Sequence, residues 1–348
     1  MSARHTPTGH AASATFVETP LPVSRRSAAC AGHSISQGEP LAGTAGAAAA
    51  WLLVEHPGPW QRKAVKEALG PDIAGAIERR APSVKVVLIR RTEVRMVERP
   101  RCYLVWTGGS SGTPPWIRET TIGRYDDLLD LDLEALAAGR PVDTGSERHD
   151  PLYAVCTNGR RDACCAEFGR PVATALAAEH DGVWESTHVG GHRFAGNMVC
   201  FPHGLYYGRL TPESALAVAD DYRDGRVRLD NLRGRSGQPG AAQVAEHVVR
   251  RREQVTALDA VRAGAPTAPE PRDESDDAGT PDPEPQQVDV VDVPVTVAAN
   301  GEGDREFTVR LRREPIGAPL FGGCDDTVPE QRYTWALAGL AEPTPSSR

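Results

Sequence analysis

The sequence has few aromatic residues and no long apolar run. Aromatic side chains make up 5% of its 348 residues, and no apolar stretch approaches the roughly 20 residues that span a bilayer. The N-terminal residues are polar and small, and they lack the apolar segment of a secretory signal. We therefore expect a cytoplasmic protein without a membrane partner.

A surplus of basic residues is also missing. The chain has 39 Lys and Arg residues against 47 Asp and Glu residues, which gives a formal net charge of -8. Proteins that bind nucleic acids in a general way need a cationic surface for the phosphates. The composition therefore argues against a general nucleic-acid binder, and we expect no nucleic-acid partner.

The cysteine content does not fit a disulfide framework. The chain has 7 Cys residues, an odd number in a long sequence. In a reducing compartment, clustered cysteines are more often metal ligands or catalytic groups. The hydrophobic content of 40% is enough for substantial cores, while 34 Gly and 29 Pro indicate many turns.

The central part of the chain predicts two α/β units. Strands alternate with helices across residues 41–145 and again across residues 146–258. In the second unit, the apolar run Leu152 to Cys156 predicts a short buried strand that ends at a cysteine. A helix is predicted from Pro171 to His180, because Val172, Ala175 and Leu176 have helical spacing.

The ends of the chain differ from this central part. Residues 1–40 lack periodicity and predict a disordered arm, so Cys30 and His33 within it are given no role. The acidic, proline-rich residues 259–287 predict an extended linker. Apolar alternation around an Asn-Gly turn predicts a small β-hairpin appendage within residues 288–348.

Two pairs of side chains in the second unit suggest a metal site. Cys156 and Cys165 are nine positions apart, and His188 and His192 are four positions apart. Thiolate and imidazole are ligands of soft and borderline metals. The residues between the two histidines, Val-Gly-Gly, disfavour a helix, and no HExxH motif is present. A Cys2His2 set fits structural zinc and an iron–sulfur cluster alike.

Further polar side chains close to the two pairs are candidates for supporting them. Such groups orient metal ligands or dock partners. For the arginines and the aspartate of the first motif, a solvated loop is the alternative interpretation. The candidates are Arg160, Arg161, Asp162, Cys164, Arg193 and Asn197.

The pattern around both pairs resembles the sucrase/ferredoxin-like family over roughly residues 41 to 255. The motifs that carry the resemblance are C-x-x-G-x-R-D-x-x-C from Cys156 to Cys165 and H-x-G-G-H-x-x-A-G-N from His188 to Asn197, with Tyr207-Gly208 beyond them. The resemblance implies two thioredoxin-like domains, of which the second carries a [2Fe–2S] cluster. By position, the implied ligands are Cys156, Cys165, His188 and His192. Cys164 departs from the family pattern and could replace Cys165 as a ligand.

The function predicted on this basis is that of an electron-transfer protein with Cys2His2 ligation. Its histidine ligands would allow electron transfer to be coupled to proton transfer, and we expect protein partners as electron donor and acceptor. One alternative is a zinc-stabilised protein-interaction module. A thiol–disulfide oxidoreductase is a weaker alternative, because no C-x-x-C motif stands at a strand-to-helix junction. An electron carrier is favoured over an enzyme, and no pair of carboxylates can be nominated for a glycosidase.

Overall fold

The structure is a computed structural model that describes residues 30–92, 96–108, 113–268, 290–298 and 303–341. The helices are α1 (Cys30–Ser36), α2 (Ala64–Leu69), α3 (Pro71–Arg80), α4 (Leu133–Ala137), α5 (Ala163–Glu179), α6 (Pro212–Arg223) and α7 (Gly240–Glu253). Two 3-10 helices cover Tyr125–Asp130 and His192–Phe194. None of the described helices is both long and apolar enough to cross a membrane.

The strands form one large sheet and one small sheet. The large sheet contains β1 (Ala50–Glu55), β2 (Val84–Arg90), β3 (Arg101–Trp106), β4 (Trp116–Thr121), β5 (Ser146–Glu147), β6 (Leu152–Cys156), β7 (Val183–Ser186), β8 (Met198–Phe201), β9 (Leu205–Tyr207) and β10 (Leu232–Arg235). The small sheet contains β11 (Val261–Ala263), β12 (Val290–Val297), β13 (Arg305–Pro315) and β14 (Tyr333–Ala341).

The two halves of the large sheet have the same strand order. The sheet runs β10-β9-β8-β6-β7-β2-β1-β3-β4-β5. In one half β1 lies between β2 and β3, and in the other half β6 lies between β7 and β8, so the first strand of each half lies between its second and its third. The first and second strands of each half are parallel, and the third is antiparallel to the first. The halves join edge to edge where β2 pairs antiparallel with β7. The observed architecture is therefore mixed α/β, with both predicted units sharing one sheet.

The core lies on both faces of this sheet. Every residue of β1 is buried, and its side chains alternate between two clusters. Leu52 and Val54 pack under α2, α3 and α4, whereas Trp51 and Leu53 join apolar side chains from both halves. Cys156 and Cys165 belong to this second, shared cluster. The sheet therefore holds the candidate ligands against an apolar layer that spans both halves.

The C-terminal appendage is larger than the predicted hairpin. β12 and β13 pair antiparallel, as the sequence pattern predicts, although the turn at Asn300 and Gly301 lies outside the described residues. β14 adds to β13, and β11 adds to β12. Apolar side chains of this sheet pack against α7 in one cluster.

Two predictions about the ends of the chain need correction. The predicted disordered arm is helical from Cys30, because α1 packs its buried face against the 3-10 helix His192–Phe194. Arg209 fixes the segment after this helix by donating to the backbone oxygen of Glu39 at 2.7 Å. The predicted linker contains β11, whose backbone pairs with β12. Residues 1–29 and 269–289 lie outside the described residues.

Candidate metal centre

Strand β6 carries Cys156 to the point where the sheet meets helix α5. All five residues of this strand are buried, and Cys156 is 1% exposed. Its amide donates to the backbone oxygen of Asn197 at 2.9 Å. The thiol therefore leaves a strand end whose position is fixed by pairing with β7 and β8 on its two sides.

Helix α5 begins eight residues before the predicted start at Pro171. Asp162 caps the helix, since its side chain accepts a hydrogen bond from the Cys164 amide at 3.0 Å. Pro171 lies within the helix. Cys165 is therefore in the first helical turn, ahead of the helix start that the sequence predicted.

A glycine allows the helix to approach Cys156 closely. A Cβ atom at Gly169 would lie 2.1 Å from the backbone oxygen of Cys156. Such a distance is shorter than any real contact, so a side chain at this position would force the helix and the strand apart. The absence of a side chain at Gly169 keeps α5 near enough for Cys165 to reach the Cys156 thiol.

The histidine turn follows the neighbouring strand β7. Cys156 and Ser186 are paired residues of parallel strands, so His188, two positions after β7, comes to the same end of the sheet as Cys156. Gly190 and Gly191 have φ angles of +112° and +71°, which favour glycine.

Buried polar side chains support this turn. Asn197 donates to the backbone oxygen of Gly191 at 2.9 Å. Arg233 donates to Asn197 Oδ1 at 2.8 Å and to the backbone oxygen of Gly190 at 3.0 Å. Arg233 is 2% exposed, so its guanidinium is a fixed part of the interior beneath the turn.

Three of the four predicted ligands meet at this end of the sheet. The sulfur atoms of Cys156 and Cys165 and a ring nitrogen of His188 all lie within 4.8 Å of one another. The two cysteines are each 1% exposed. Hydrogen bonds from the Cys165 thiol and from His188 lower the pKa of Cys156 well below its usual value. This group of Cys156, Cys165 and His188 is called the first cluster below.

His192 is not part of the first cluster. Its ring centroid lies 5.0 Å from that of His188, and its Nε2 atom lies 4.0 Å from Asp162 Oδ2. Burial lowers the pKa of His192. The structure therefore places the predicted fourth ligand beside the first cluster rather than within it.

The supporting residues predicted from the sequence occupy different surroundings. Arg160 is exposed and lines an open cleft beside helix α5. The backbone of Arg161 bonds to Asn158 in the preceding turn. Arg193 forms a buried ion pair with Glu39 at 2.7 Å. Of the six candidates, Asn197 is the one that contacts the backbone of the histidine turn.

Asp162 and Cys164 belong to a separate group. Their side chains lie with those of Cys30 and Cys324, and one ligand atom from each residue falls within 4.8 Å of the others. Cys164 therefore does not replace Cys165 in the first cluster. Neither Cys30 nor Cys324 was given a role from the sequence, because each is far from the motifs along the chain.

The sequence also gave no role to Lys85 and Tyr206, which lie beside the histidine turn. Lys85 Nζ donates to the backbone oxygen of Val189, and Tyr206 donates to the same oxygen at 3.0 Å. Burial lowers the pKa of Lys85 to about 8, and the nearby Cys156 thiolate opposes this shift. The position of Lys85 within the apolar run of strand β2 is the sequence feature that could have marked it as a candidate.

Comparisons with known proteins give relatives over a limited part of the chain. A protein of Meyerozyma guilliermondii, named Altered inheritance of mitochondria protein 32, is 33% identical over 97 residues, which are 24% of this chain and 34% of that protein. The Saccharomyces kudriavzevii protein of the same name is 26% identical over 95 residues, which are 23% of this chain and 30% of that protein. The chain thus spans about a third of the length of these relatives. No solved structure matches it.

These findings correct the predicted function. The relatives are named for the inheritance of mitochondria, and neither their name nor the family description gives evidence of a [2Fe–2S] electron carrier. The prediction of an electron-transfer protein is therefore wrong. The zinc-stabilised interaction module and the thiol–disulfide oxidoreductase receive no better support.

The family resemblance, in contrast, is confirmed. The profile of a family described as Sucrase/ferredoxin-like matches residues 41–234, which is more than half of the chain. The matched range runs from the segment before β1 into β10, and it contains the first cluster and the histidine turn. The chain belongs to the sucrase/ferredoxin-like family.

Proposed function

We propose that this chain is a metal-binding protein and that Cys156, Cys165 and His188 hold the metal. The observation that supports the proposal is the first cluster itself, in which two thiols and one imidazole place their ligand atoms within 4.8 Å of one another. A mixed sulfur and nitrogen set of this kind suits zinc, iron and copper rather than magnesium or calcium.

The surroundings of the first cluster fit a bound cation. His188 Nδ1 is buried and makes no hydrogen bond within the described residues. Cys156 and Cys165 share one hydrogen bond, which lowers the pKa of the first and raises that of the second. A metal ion would replace this shared proton, because thiolate is the form of cysteine that coordinates metals.

Fixed backbone supports each ligand from a different direction. Cys156 ends a strand, Cys165 lies in a capped helical turn, and His188 lies in a turn tied down by Asn197 and Arg233. Ligands on rigid elements lose little conformational freedom when they bind. We infer that the site is arranged for the metal before the metal arrives.

The identity of the metal centre depends on His192. A single ion with three protein ligands keeps one position for another donor. A [2Fe–2S] cluster, the cofactor implied by the family resemblance, would need four ligands and therefore His192 as well. We favour the three-residue site because His192 lies outside the first cluster.

Metal analysis of the full chain tests the proposal. The chain is purified without oxygen, and its metals and inorganic sulfide are measured per chain beside the variants Cys156→Ala, Cys165→Ala and Cys102→Ala. Cys102 is a buried cysteine of β3 outside the first cluster and serves as the matched control. We expect each of the first two variants to lose one metal centre that the control retains.

The result that overturns the proposal is equally specific. If wild-type protein and all three variants hold the same amount of metal after reconstitution with zinc and with iron plus sulfide, the first cluster binds no metal. Circular dichroism of each variant separates loss of metal from loss of the fold.

The finer predictions about architecture and location remain part of the proposal. The equal strand order of the two halves supports two related α/β units, for which we keep the thioredoxin-like assignment and the boundaries 41–145 and 146–258. A cytoplasmic location without nucleic-acid or membrane partners likewise remains a prediction from composition. Fractionation of cells that express the tagged full chain tests the location.

A further inference from the structure

We propose a second metal site, separate from the first cluster, in which Cys30, Cys164, Cys324 and Asp162 bind a divalent cation of the zinc type. These four side chains come from three distant parts of the chain and are called the second cluster below. Their ligand atoms lie within 4.8 Å of one another. The second cluster therefore contains three of the protein's 7 Cys residues together with one carboxylate.

The distances within the second cluster match the edges of a tetrahedron around zinc. A Zn–S bond of about 2.3 Å places two ligand sulfurs about 3.8 Å apart in tetrahedral geometry. The three Sγ–Sγ distances are 3.8 Å for Cys30–Cys164, 3.5 Å for Cys30–Cys324 and 3.2 Å for Cys164–Cys324.

The carboxylate occupies the fourth corner of the same tetrahedron. With a Zn–O bond of about 2.0 Å, a ligand sulfur and a ligand oxygen lie about 3.5 Å apart. The Oδ1 atom of Asp162 is 3.8 Å from Cys30 Sγ and 3.2 Å from Cys324 Sγ. These five distances lie within about 0.6 Å of the corresponding edges of an S3O tetrahedron, and the largest departure is that of the Cys164–Cys324 pair.

Burial of the second cluster favours a bound cation. Asp162 is 4% exposed, Cys30 is 2% exposed and Cys164 is fully buried. Across the described part of the chain, the ion-pair contact of Asp162 is with His192 at 4.0 Å, and no lysine or arginine pairs with it. Buried anionic groups are costly unless they are paired or coordinate a metal. A divalent cation among these ligands would supply the missing charge.

A disulfide accounts for the second cluster less well. A disulfide bond is about 2.0 Å long, whereas the three sulfur pairs lie at 3.2 to 3.8 Å. One disulfide would also leave the third thiol unbonded and would bring no cation to the buried carboxylate. Three nearly equal sulfur distances favour a central ion over one bonded pair.

The position of the second cluster suggests a structural role. Cys30 begins helix α1, Cys164 lies in the first turn of α5, and Cys324 lies between strands β13 and β14. Cys30 and Cys324 are separated by 294 positions, so one ion would join two distant parts of the described chain to the start of helix α5.

The segment that carries Cys324 also covers His192, at the end of the histidine turn. A Cβ atom at Gly323 would lie 2.8 Å from His192 Nε2, so the backbone at Gly323 lies directly against this ring. The amide of Cys324 donates to Asp162 Oδ2 at 2.8 Å, which holds the segment in place. Metal in the second cluster would therefore fix the cover over the histidine turn.

A cobalt titration of the full chain isolates the second cluster. In the double variant Cys156→Ala/Cys165→Ala the first cluster lacks both thiols, so thiolate-to-cobalt absorption can arise only elsewhere. We expect this variant to bind about one Co²⁺ per chain with tetrahedral absorption bands, and zinc to displace the cobalt. Adding Cys30→Ala or Cys324→Ala to it should abolish the bands, whereas adding Cys102→Ala should not.

Two results would overturn the second site. One is a double variant that takes up no Co²⁺ or Zn²⁺ under reducing conditions while circular dichroism shows an intact fold. The other is equal uptake by the Cys30→Ala, Cys324→Ala and Cys102→Ala forms. A first cluster that binds no metal gives a different result, namely equal metal content in wild type and in the Cys156→Ala variant. The two proposals can therefore fail independently.

Discussion

Cys164 and Cys165 are consecutive residues of helix α5, yet their thiols belong to different clusters. Cys165 meets Cys156 and His188, whereas Cys164 meets Cys30 and Cys324. Successive side chains on a helix point about 100° apart, because one turn takes 3.6 residues. The first turn of α5 therefore contributes one ligand to each of two sites on different sides of the helix.

Both thiols also lie near the positive end of the helix. The first backbone amides of a helix lack helical partners and favour negative charge. Asp162 uses one of these amides as its cap. The same turn thus contributes to both clusters, and a change in the position of the helix start would disturb both of them.

Replacing the two histidines separately should distinguish a three-residue site from a four-residue site. We expect His188→Ala to lose the metal of the first cluster and His192→Ala to retain it, because only His188 places a nitrogen near both thiols. Metal content per chain is the measurement, and His180→Ala, which removes another buried histidine, is the control. If His192→Ala loses iron and sulfide together with His188→Ala, His192 is a ligand and the centre is a cluster of the [2Fe–2S] type.

The sequence predicts the strands of this fold better than its helix starts. The strand Leu152–Cys156 has the predicted bounds, because a short buried apolar run between turn residues leaves few alternatives. The start of α5 was misplaced because the prediction relied on the apolar positions Val172, Ala175 and Leu176, which lie beyond the first two turns of the helix. The residue that caps the helix is Asp162, directly before Ala163, and it does so through a single side-chain hydrogen bond to the Cys164 amide.

The candidate site was predictable only where its residues are close in sequence. The glycine turn and its two histidines form one motif, but the left-handed backbone at Gly191 directs His192 away from the first cluster in a way that spacing alone does not reveal. Cys30 and Cys324 meet through tertiary packing across 294 positions, and no local pattern marks such a contact. Their grouping required the structure.

Gly169→Ala should destabilise the protein and weaken metal binding at the first cluster. The new methyl group would lie 2.1 Å from the Cys156 backbone oxygen, so α5 must move away from β6. We expect a loss of about 1–3 kcal/mol in the free energy of unfolding, the usual range for overpacking, together with reduced metal content. Gly75→Ala in helix α3 is the matched control, since its methyl group would meet only the flexible end of Arg79. Chemical denaturation of both variants checks this, and equal stabilities would contradict it.

Asn197→Ala should weaken the first cluster without removing a ligand. The amide side chain joins the Gly191 backbone oxygen to Arg233, so its loss frees the histidine turn. Residues that orient metal ligands typically alter metal affinity about 10–100-fold when they are replaced. Competition with a chelator of known affinity measures the change. Cobalt uptake by the second cluster is the control and should stay unchanged. An equal loss of metal at both clusters would instead indicate general unfolding.

Acidification should destabilise the fold through two histidines outside both clusters. Burial lowers the pKa of His203 to about 4 and that of His247 to about 4, because neither ring gains enough favourable contact when protonated. In the unfolded chain the same groups titrate near pH 6.5, so the unfolded state binds more protons between these values. Their contribution to stability is therefore fully present above about pH 6.5 and is lost as the pH falls toward 4.

The structure gives His247 a partner that requires the neutral ring, and it places His203 against a tyrosine hydroxyl. His247 Nε2 accepts a hydrogen bond from Arg251 at 3.2 Å, which protonation would break, and His203 lies 2.6 Å from the hydroxyl of Tyr222 in a buried contact. We expect wild type to lose about 2–3 kcal/mol per histidine between pH 7 and pH 4. Denaturant titrations across this range, compared with those of a His203→Asn/His247→Gln double variant, measure the effect. A double variant with the same pH dependence as wild type would show that other groups, including the ligands of the first cluster, cause the loss.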